Sequence, residues 1–287
     1  MNNYQIITDS GSDLSAAFLA QIQVKSTALT VNFKGQSLPD SVDEGIQEIY
    51  EGLRSGETAT TSAINPEGWK DIMRPSLEAG LDLLVIPFSS GLSTTSQSAV
   101  IAADELLETY PDRKIRVVDS LCASLGQGLL VFYAAKKRDE GLSLDELAAW
   151  VENIRPNLAH WFTVDSLVYL KRGGRVSAAT ALVGTMLNIK PILHVDDEGR
   201  LTSVSTVRGR KASIKALAEK LGETILPEAK GNAFICHGDC LEDAQYLSAL
   251  IQEKYGIQDV HIGYTGAVIG SHSGPGTLAL FFLGEHR

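Results

Sequence analysis

The stretch LDLLVIPFSSGLSTTS, residues 81–96, sets the fold class. Leu81 to Phe88 is a nearly continuous apolar run of strand length, the pattern of a strand buried on both faces of a parallel sheet. The run empties into Ser89-Ser90-Gly91-Leu92-Ser93-Thr94-Thr95-Ser96, a loop crowded with hydroxyls. Behind it, Ala99, Ala102, Ala103, Leu106, Leu107 and Tyr110 recur at helical spacing, so a helix aims its free N-terminal amides at that loop. Strand, serine-rich loop and helix make an α/β unit, and ligands in such folds gather at the carboxyl ends of strands.

The same plan recurs on either side. Tyr4 to Thr8 is a β-branched strand entering the turn Asp9-Ser10-Gly11-Ser12-Asp13, with Ser12 or Asp13 available to cap the next helix. Ile115 to Asp119 leads through Ser120, Ser124 and Gly126 into a helix over 127–137. Between these units, Ile46, Ile49, Tyr50 and Leu53 predict a helix within 43–54, and TATTSAINP (58–66) reads as a hydroxyl-rich loop before a helix opening at Pro66. Ser143 with Glu146 is a capping box, and Pro156 stops or kinks the helix that follows it. A domain boundary is expected there, giving an N-terminal α/β domain over 1–157 and a C-terminal one over 158–287. In the second, strands are expected at 161–164, 232–237, 261–266 and 278–283. Residues 191–207 alternate as a hairpin around Asp197-Glu198-Gly199, and helices run through Leu217–Leu221 and over 242–255. The fold class is therefore α/β, with two α/β domains whose parallel or mixed sheets carry flanking helices.

Composition narrows the function. The 287 residues carry 25 Lys and Arg against 35 Asp and Glu, a net charge of −10 that disfavours nucleic-acid binding, which needs a broad basic surface. Cys122, Cys236 and Cys240 are too few for a disulfide framework and suit a reducing compartment. The N-terminus MNNYQIITDS lacks the pattern of a secretory signal, and no run approaches the ~18 apolar residues of a membrane span. A soluble cytoplasmic protein without stable membrane insertion is expected.

Several segments carry chemistry. In 164–191, Lys171, Arg172 and Arg175 bracket Gly173-Gly174, an anion-binding composition, although an exposed basic turn before a capped helix has the same residues. From Ser177, small residues (Ala178, Ala179, Ala181, Gly184) alternate with Leu182, Val183, Met186, Leu187 and Ile189, so this segment packs closely or lines a narrow apolar channel. Residues 270–276, GSHSGPG, set Ser271 and His272 among glycines, where packing explains a histidine less easily than it would on a helix's apolar face. With Thr61, Ser62 and Ser93, His272 would offer hydroxyl and imidazole donors to a carboxylate. A second basic cluster is Arg208-Gly209-Arg210-Lys211. The cluster Cys236-His237-Gly238-Asp239-Cys240 lacks the second ligand pair a structural zinc needs, so no metal is expected. Neither nucleotide fingerprint is met. Ser93 and His272 could instead form a hydrolase pair, but no Gly-x-Ser-x-Gly elbow or orienting acid accompanies them.

In order along the chain, Thr8-Asp9-Ser10, Thr60-Thr61-Ser62, 89–93, Asp119-Ser120 with 123–128, 169–175, Leu187-Asn188-Ile189-Lys190-Pro191, Arg208-Gly209-Arg210 and 270–276 resemble the DegV family of bacterial lipid-binding proteins. One departure is Ser62-Ala63-Ile64-Asn65-Pro66, where that family more often has Ser-Gln-Pro-Ser-Pro. The resemblance implies two α/β domains with a long-chain fatty acid in a tunnel between them. It implies no catalytic residue and no cofactor. Thr61, Ser62, Ser93, Ser271 and His272 would hold the carboxylate, with Arg172 near it. Ala179, Val183, Gly184, Leu187 and Ile189 would line the tunnel. In some members the acid is presented to a separate ATP-dependent fatty acid kinase that makes the acyl phosphate for phospholipid metabolism, and Arg208 and Arg210 would face that partner. Burying ~15 methylenes at ~0.8 kcal/mol each gives ~12 kcal/mol before the costs of association, enough for reversible binding. An acyl hydrolase and a lipid sensor without a kinase are the alternative readings.

Overall fold

The computed structural model describes residues 3–176, 188–229 and 231–287. Its first sheet is wholly parallel, ordered β2-β1-β6-β7 from Val24–Thr27, Tyr4–Asp9, Asp82–Ile86 and Ile115–Val117. Strand alternation sends Ile6, Leu84 and Ile86 to one face and Ile7, Leu83 and Val85 to the other, all buried, as the unbroken apolar run at 81–88 requires. The second face packs on α2 (Ile46–Arg54), α3 (Pro66–Glu78) and α4 (Thr95–Thr109). Asn65 caps α3 by accepting from the Gly68 amide at 2.9 Å, with Pro66 at the first helical position.

The first face meets α5 (Leu125–Asp139) and α6 (Leu144–Ile154), the latter opened by the Ser143/Glu146 capping box. Beyond them lies a mixed sheet ordered β10-β9-β8-β13-β11-β12, from Leu201–Arg208, Ile189–Val195, Leu158–Thr163, Leu278–Leu283, Asn232–His237 and Asp259–Tyr264. Only β11 and β12 run parallel in it. Its far face is covered by α8 (Arg210–Thr224) and α9 (Leu241–Tyr255). The molecule is thus an α/β stack: helices, parallel sheet, helices, mixed sheet, helices. A single apolar cluster joins the two sheets through α5, which packs on β8, β11 and β13. The strands of the parallel sheet all precede Arg155–Asn157, and those of the mixed sheet all follow it.

The structure departs from the sequence reading in several places, among them the strand expected at 161–164, which runs over Leu158–Thr163. Thr58–Pro66 is not all loop: β5 (Ala59–Ser62) joins β3 (Thr30–Phe33) and β4 (Gln36–Pro39) in a small antiparallel sheet ordered β4-β3-β5. Its strand character comes from pairing with residues about thirty positions away, not from local composition. Residues Ala267–Ser273 form a short helix, α10, in a segment to which the sequence assigned no element. Helix α1 (Ala16–Gln21) is capped by Ser15, not Ser12 or Asp13, because a 3-10 turn over Ser10–Ser12 places Asp13 in the left-handed region at φ 53°. The strand expected at 261–266 begins two residues earlier and ends at Tyr264. Short α7 (Val168–Arg172) leads into Gly173-Gly174. The expected lining residues Ala179, Val183, Gly184 and Leu187 lie outside the described residues.

Candidate functional site

Between the strand ends of the parallel sheet and the inner face of the mixed sheet lies a cavity of about 460 Å³, within the ~300–1,000 Å³ range of small-molecule sites. The mixed sheet contributes an apolar wall of Phe162, Val195, Leu201, Ala279 and Phe281. Opposite stand Leu29, Phe88, Leu92, Val268 and Ile269. Against these are set polar groups: Thr61 and Ser62 from β5, Ser90, Ser93 and Thr94 from the β6–α4 loop, Arg175, and His272 of α10. The loop is held in place by the β9–β10 hairpin, whose Gly199 carbonyl accepts from Ser89 Oγ at 2.8 Å. Gly91 permits this approach, since a Cβ there would stand 2.5 Å from the Glu198 carbonyl oxygen.

Thr61 Oγ1 lies 2.8 Å from His272 Nε2. This pair joins two segments that are 211 residues apart. The imidazole pKa is lowered to about 4, chiefly by burial and then by the Arg175 charge, so His272 is neutral near pH 7. Among the described residues its Nδ1 has no hydrogen-bond partner, and it faces Gly173, where a Cβ would come within 2.1 Å of it. Arg175 donates from Nε to the Leu92 carbonyl at 3.3 Å and from Nη1 to that of Gly173. Ser93 Oγ bonds Thr95 Oγ1 at 2.9 Å and accepts from the Thr95 amide, and it makes no bond to His272. Ser93 and His272 are therefore not assembled as a hydrogen-bonded serine–histidine pair.

Among the residues singled out from sequence, Thr61, Ser62, Ser93 and His272 line this cavity. Ser271 does not: it is buried, and its hydroxyl donates to the Ala267 carbonyl at 2.6 Å within α10. Arg172 is exposed at the end of α7, its guanidinium 5.8 Å from the centre of the Tyr169 ring, and the cation on the cavity wall is Arg175. Ile189 is half-buried in β9 and is not part of the lining. Arg208 is exposed at the end of β10 and has no hydrogen bond or ion pair among the described residues. Arg210 is engaged internally, with Nε donating to Asp243 Oδ2 at 2.8 Å and Nη1 3.8 Å from Asp165 Oδ1.

The sequence reading missed the interior wall, including His160, Phe162, Cys236 and Phe281. Every residue of β8 and β13 is buried, so the alternation that separates cavity-facing from helix-facing side chains is invisible in composition. Cys236 accepts from Ser124 Oγ at 3.1 Å, and burial pushes its thiol up to about 12. No group of three or more His, Cys, Asp or Glu among the described residues is placed to hold a metal ion.

A DegV domain-containing protein of Clostridium perfringens is 42% identical over 289 residues, covering 100% of this chain and 99% of the relative. A solved DegV family protein of Thermus thermophilus, described for its fatty acid binding, matches with a TM-score of 0.88 at 32% identity over 98% of this chain and 99% of that one. A DegV lipid binding protein of Thermotoga maritima has a TM-score of 0.88 at 30% identity, with both chains covered in full. The profile of the uncharacterised protein family DegV matches residues 3–285. On that match the chain belongs to the DegV family.

Proposed function

We propose that this protein binds a long-chain fatty acid in the cavity and presents its carboxylate to a separate ATP-dependent fatty acid kinase. The observation that carries the reading is the Thr61–His272 pair set into the wall of a largely apolar cavity. An acyl tail gains affinity from the Phe162, Ala279 and Phe281 wall, while a carboxylate requires donors, because a buried unpaired charge is costly. Thr61, Ser62, Ser93, the neutral imidazole of His272 and the cation of Arg175 would meet that need. The Thermus and Thermotoga relatives support the ligand class, since one is described by fatty acid binding and the other by lipid binding. The parts on either side of residue 157 would act as two domains with the acid between them, in a cytoplasmic protein that carries its ligand without transforming it. Arg208, exposed and without a hydrogen bond or ion pair among the described residues, is the better docking residue for the kinase, since Arg210 is engaged by Asp243 and Asp165.

Native mass spectrometry of the purified protein, followed by denaturation and extraction, tests the binding step. The expected result is a non-covalent adduct released as intact fatty acid. Protein that is empty and also fails to bind added octadecanoic acid overturns the reading, and mass retained on a serine after denaturation points to a hydrolase. For the kinase step, Arg208→Ala should keep its lipid yet lose acyl-phosphate formation with an ATP-dependent fatty acid kinase. Unchanged phosphorylation would remove Arg208 from the docking surface.

A further inference from the structure

A groove of about 430 Å³ runs along the free side of β7, between α4 and α6, and shares no lining residue with the cavity described above. β7 is the last strand of its sheet, and among the described residues no strand pairs with its outer side. On its inner side the Leu83 amide donates to the Lys114 carbonyl and the Val118 amide to the Val85 carbonyl, each at 2.8 Å. Positions 114, 116 and 118 thus turn their peptide groups to β6, and strand alternation leaves the amides and carbonyls of Ile115 and Val117 facing the groove. Sheet edges are commonly blunted by a bulge, a proline or a charge held across them. β7 has an unbroken register with β6 and no proline, and its two cations are drawn aside by Asp145 of α6, Lys114 Nζ at 3.0 Å and Arg116 Nε at 2.7 Å.

The walls are apolar where they meet this edge, with Val100, Ala103 and Leu107 on α4 and Ala148 and Ala149 on α6. Asp104 and Glu152 stand on the opposite walls, both exposed and neither in a hydrogen bond or ion pair among the described residues. We propose that this groove receives an extended segment of a partner protein in which apolar residues alternate with Lys or Arg. The segment's peptide groups pair with those of Ile115 and Val117, its apolar side chains lie on the α4 wall, and its cations meet Asp104 and Glu152. A second copy of this chain is the rival occupant, since β7 itself reads Ile115-Arg116-Val117. Antiparallel pairing that sets Ile115 against Val117 would, however, place Arg116 directly opposite Arg116, and like charges so placed destabilise a strand pair.

The test is independent of any ligand in the cavity. The probe is a short N-acetylated peptide of alternating valine and lysine, with an alternating valine and glutamate peptide as control. Calorimetry and amide hydrogen exchange are run on wild type, on the double variant Asp104→Lys/Glu152→Lys and on Val117→Pro, which removes a groove-facing amide and leaves the ladder to β6 intact. Wild type should bind the lysine peptide, more weakly as salt is raised, with exchange slowed at Ile115 and Val117, and should not bind the glutamate peptide. The double variant should lose at least about tenfold in affinity with a thermal melt close to wild type, and Val117→Pro should lose binding. If Val117→Pro does not fold, the charge reversal still decides. No binding of the lysine peptide by wild type, binding that survives the charge reversal, or slowed exchange away from β7 overturns the inference. A dimer seen by sedimentation for wild type and lost in the double variant would give the groove to a second copy and overturn it as well.

Discussion

Gly173 and Gly174 look interchangeable in sequence, as a pair whose freedom at positive φ suits close approach to a ligand. In the structure they do different things. Gly174 adopts φ +69° with nothing near its missing side chain, whereas Gly173 has ordinary helical angles and is required for space, its Cα lying against His272 Nδ1. Gly173→Ala should therefore displace the imidazole, destabilise the fold by about 1–3 kcal/mol through overpacking, and weaken fatty-acid binding at least tenfold. Gly174→Ala should cost about 1–2 kcal/mol through backbone strain and leave ligand affinity close to wild type. Thermal melts and fatty-acid displacement on the two variants check the contrast. The cationic character of this segment was legible in sequence, but not which arginine reaches the cavity. Arg175 follows the turn of Gly174 back toward Leu92, while Arg172 ends α7 over the Tyr169 ring.

Helix α10 shows why the local signal failed for one element. Ala-Val-Ile-Gly-Ser-His-Ser contains poor helix formers, and its N-cap residue, Gly266, has no side chain with which to cap. The missing acceptor comes from Asp40, 228 residues earlier, whose Oδ1 accepts from the Val268 amide at 2.9 Å. A carboxylate at a helix N-terminus satisfies free amides and favours the helix dipole, and no window of sequence around 267–273 could reveal it. By contrast, the capping box at Ser143, the Asn65–Pro66 start of α3 and the Asp196–Arg200 turn of the hairpin were all legible, because each is closed by residues within four positions. Since α10 carries His272, Asp40→Ala should cost about 1 kcal/mol in stability and lower fatty-acid affinity. Asp40→Asn, which keeps an acceptor, should retain most of that affinity. Chemical denaturation alongside ligand titration distinguishes the two.

At the scale of the whole molecule, closing the stack buries ionisable groups of both kinds. Burial raises Asp9 to about 7 and Asp40 to about 6, and holds Asp13 well above the carboxylate range, with the Asp40 charge adding to the effect on Asp13. A raised carboxyl contributes stability that is full below the unfolded value near 4 and is lost as pH rises through the folded one. His272, lowered to about 4, has the opposite slope: its neutral folded form costs stability as pH falls below about 6.5. Wild type should therefore gain on Asp40→Asn by up to about 3 kcal/mol on going from pH 8 to pH 4, and lose on His272→Gln between pH 7 and pH 4. Urea midpoints for the three proteins across that range check both signs. None of this was legible beforehand, because Asp9, Asp13 and Asp40 sit in turn-forming contexts and are enclosed only when α5 and α10 close over them. Among the described residues the mixed sheet ends in β10 and β12, with Val176 bridging Leu201 at the start of β10. The β9–β10 register slips between Ser203 and Ser205, leaving Val204 as an extra, half-exposed residue in the outer strand. Such a bulge interrupts the even row of amides and carbonyls that another chain would need in order to zip onto this strand, which makes β10 a poor template for strand addition at that point.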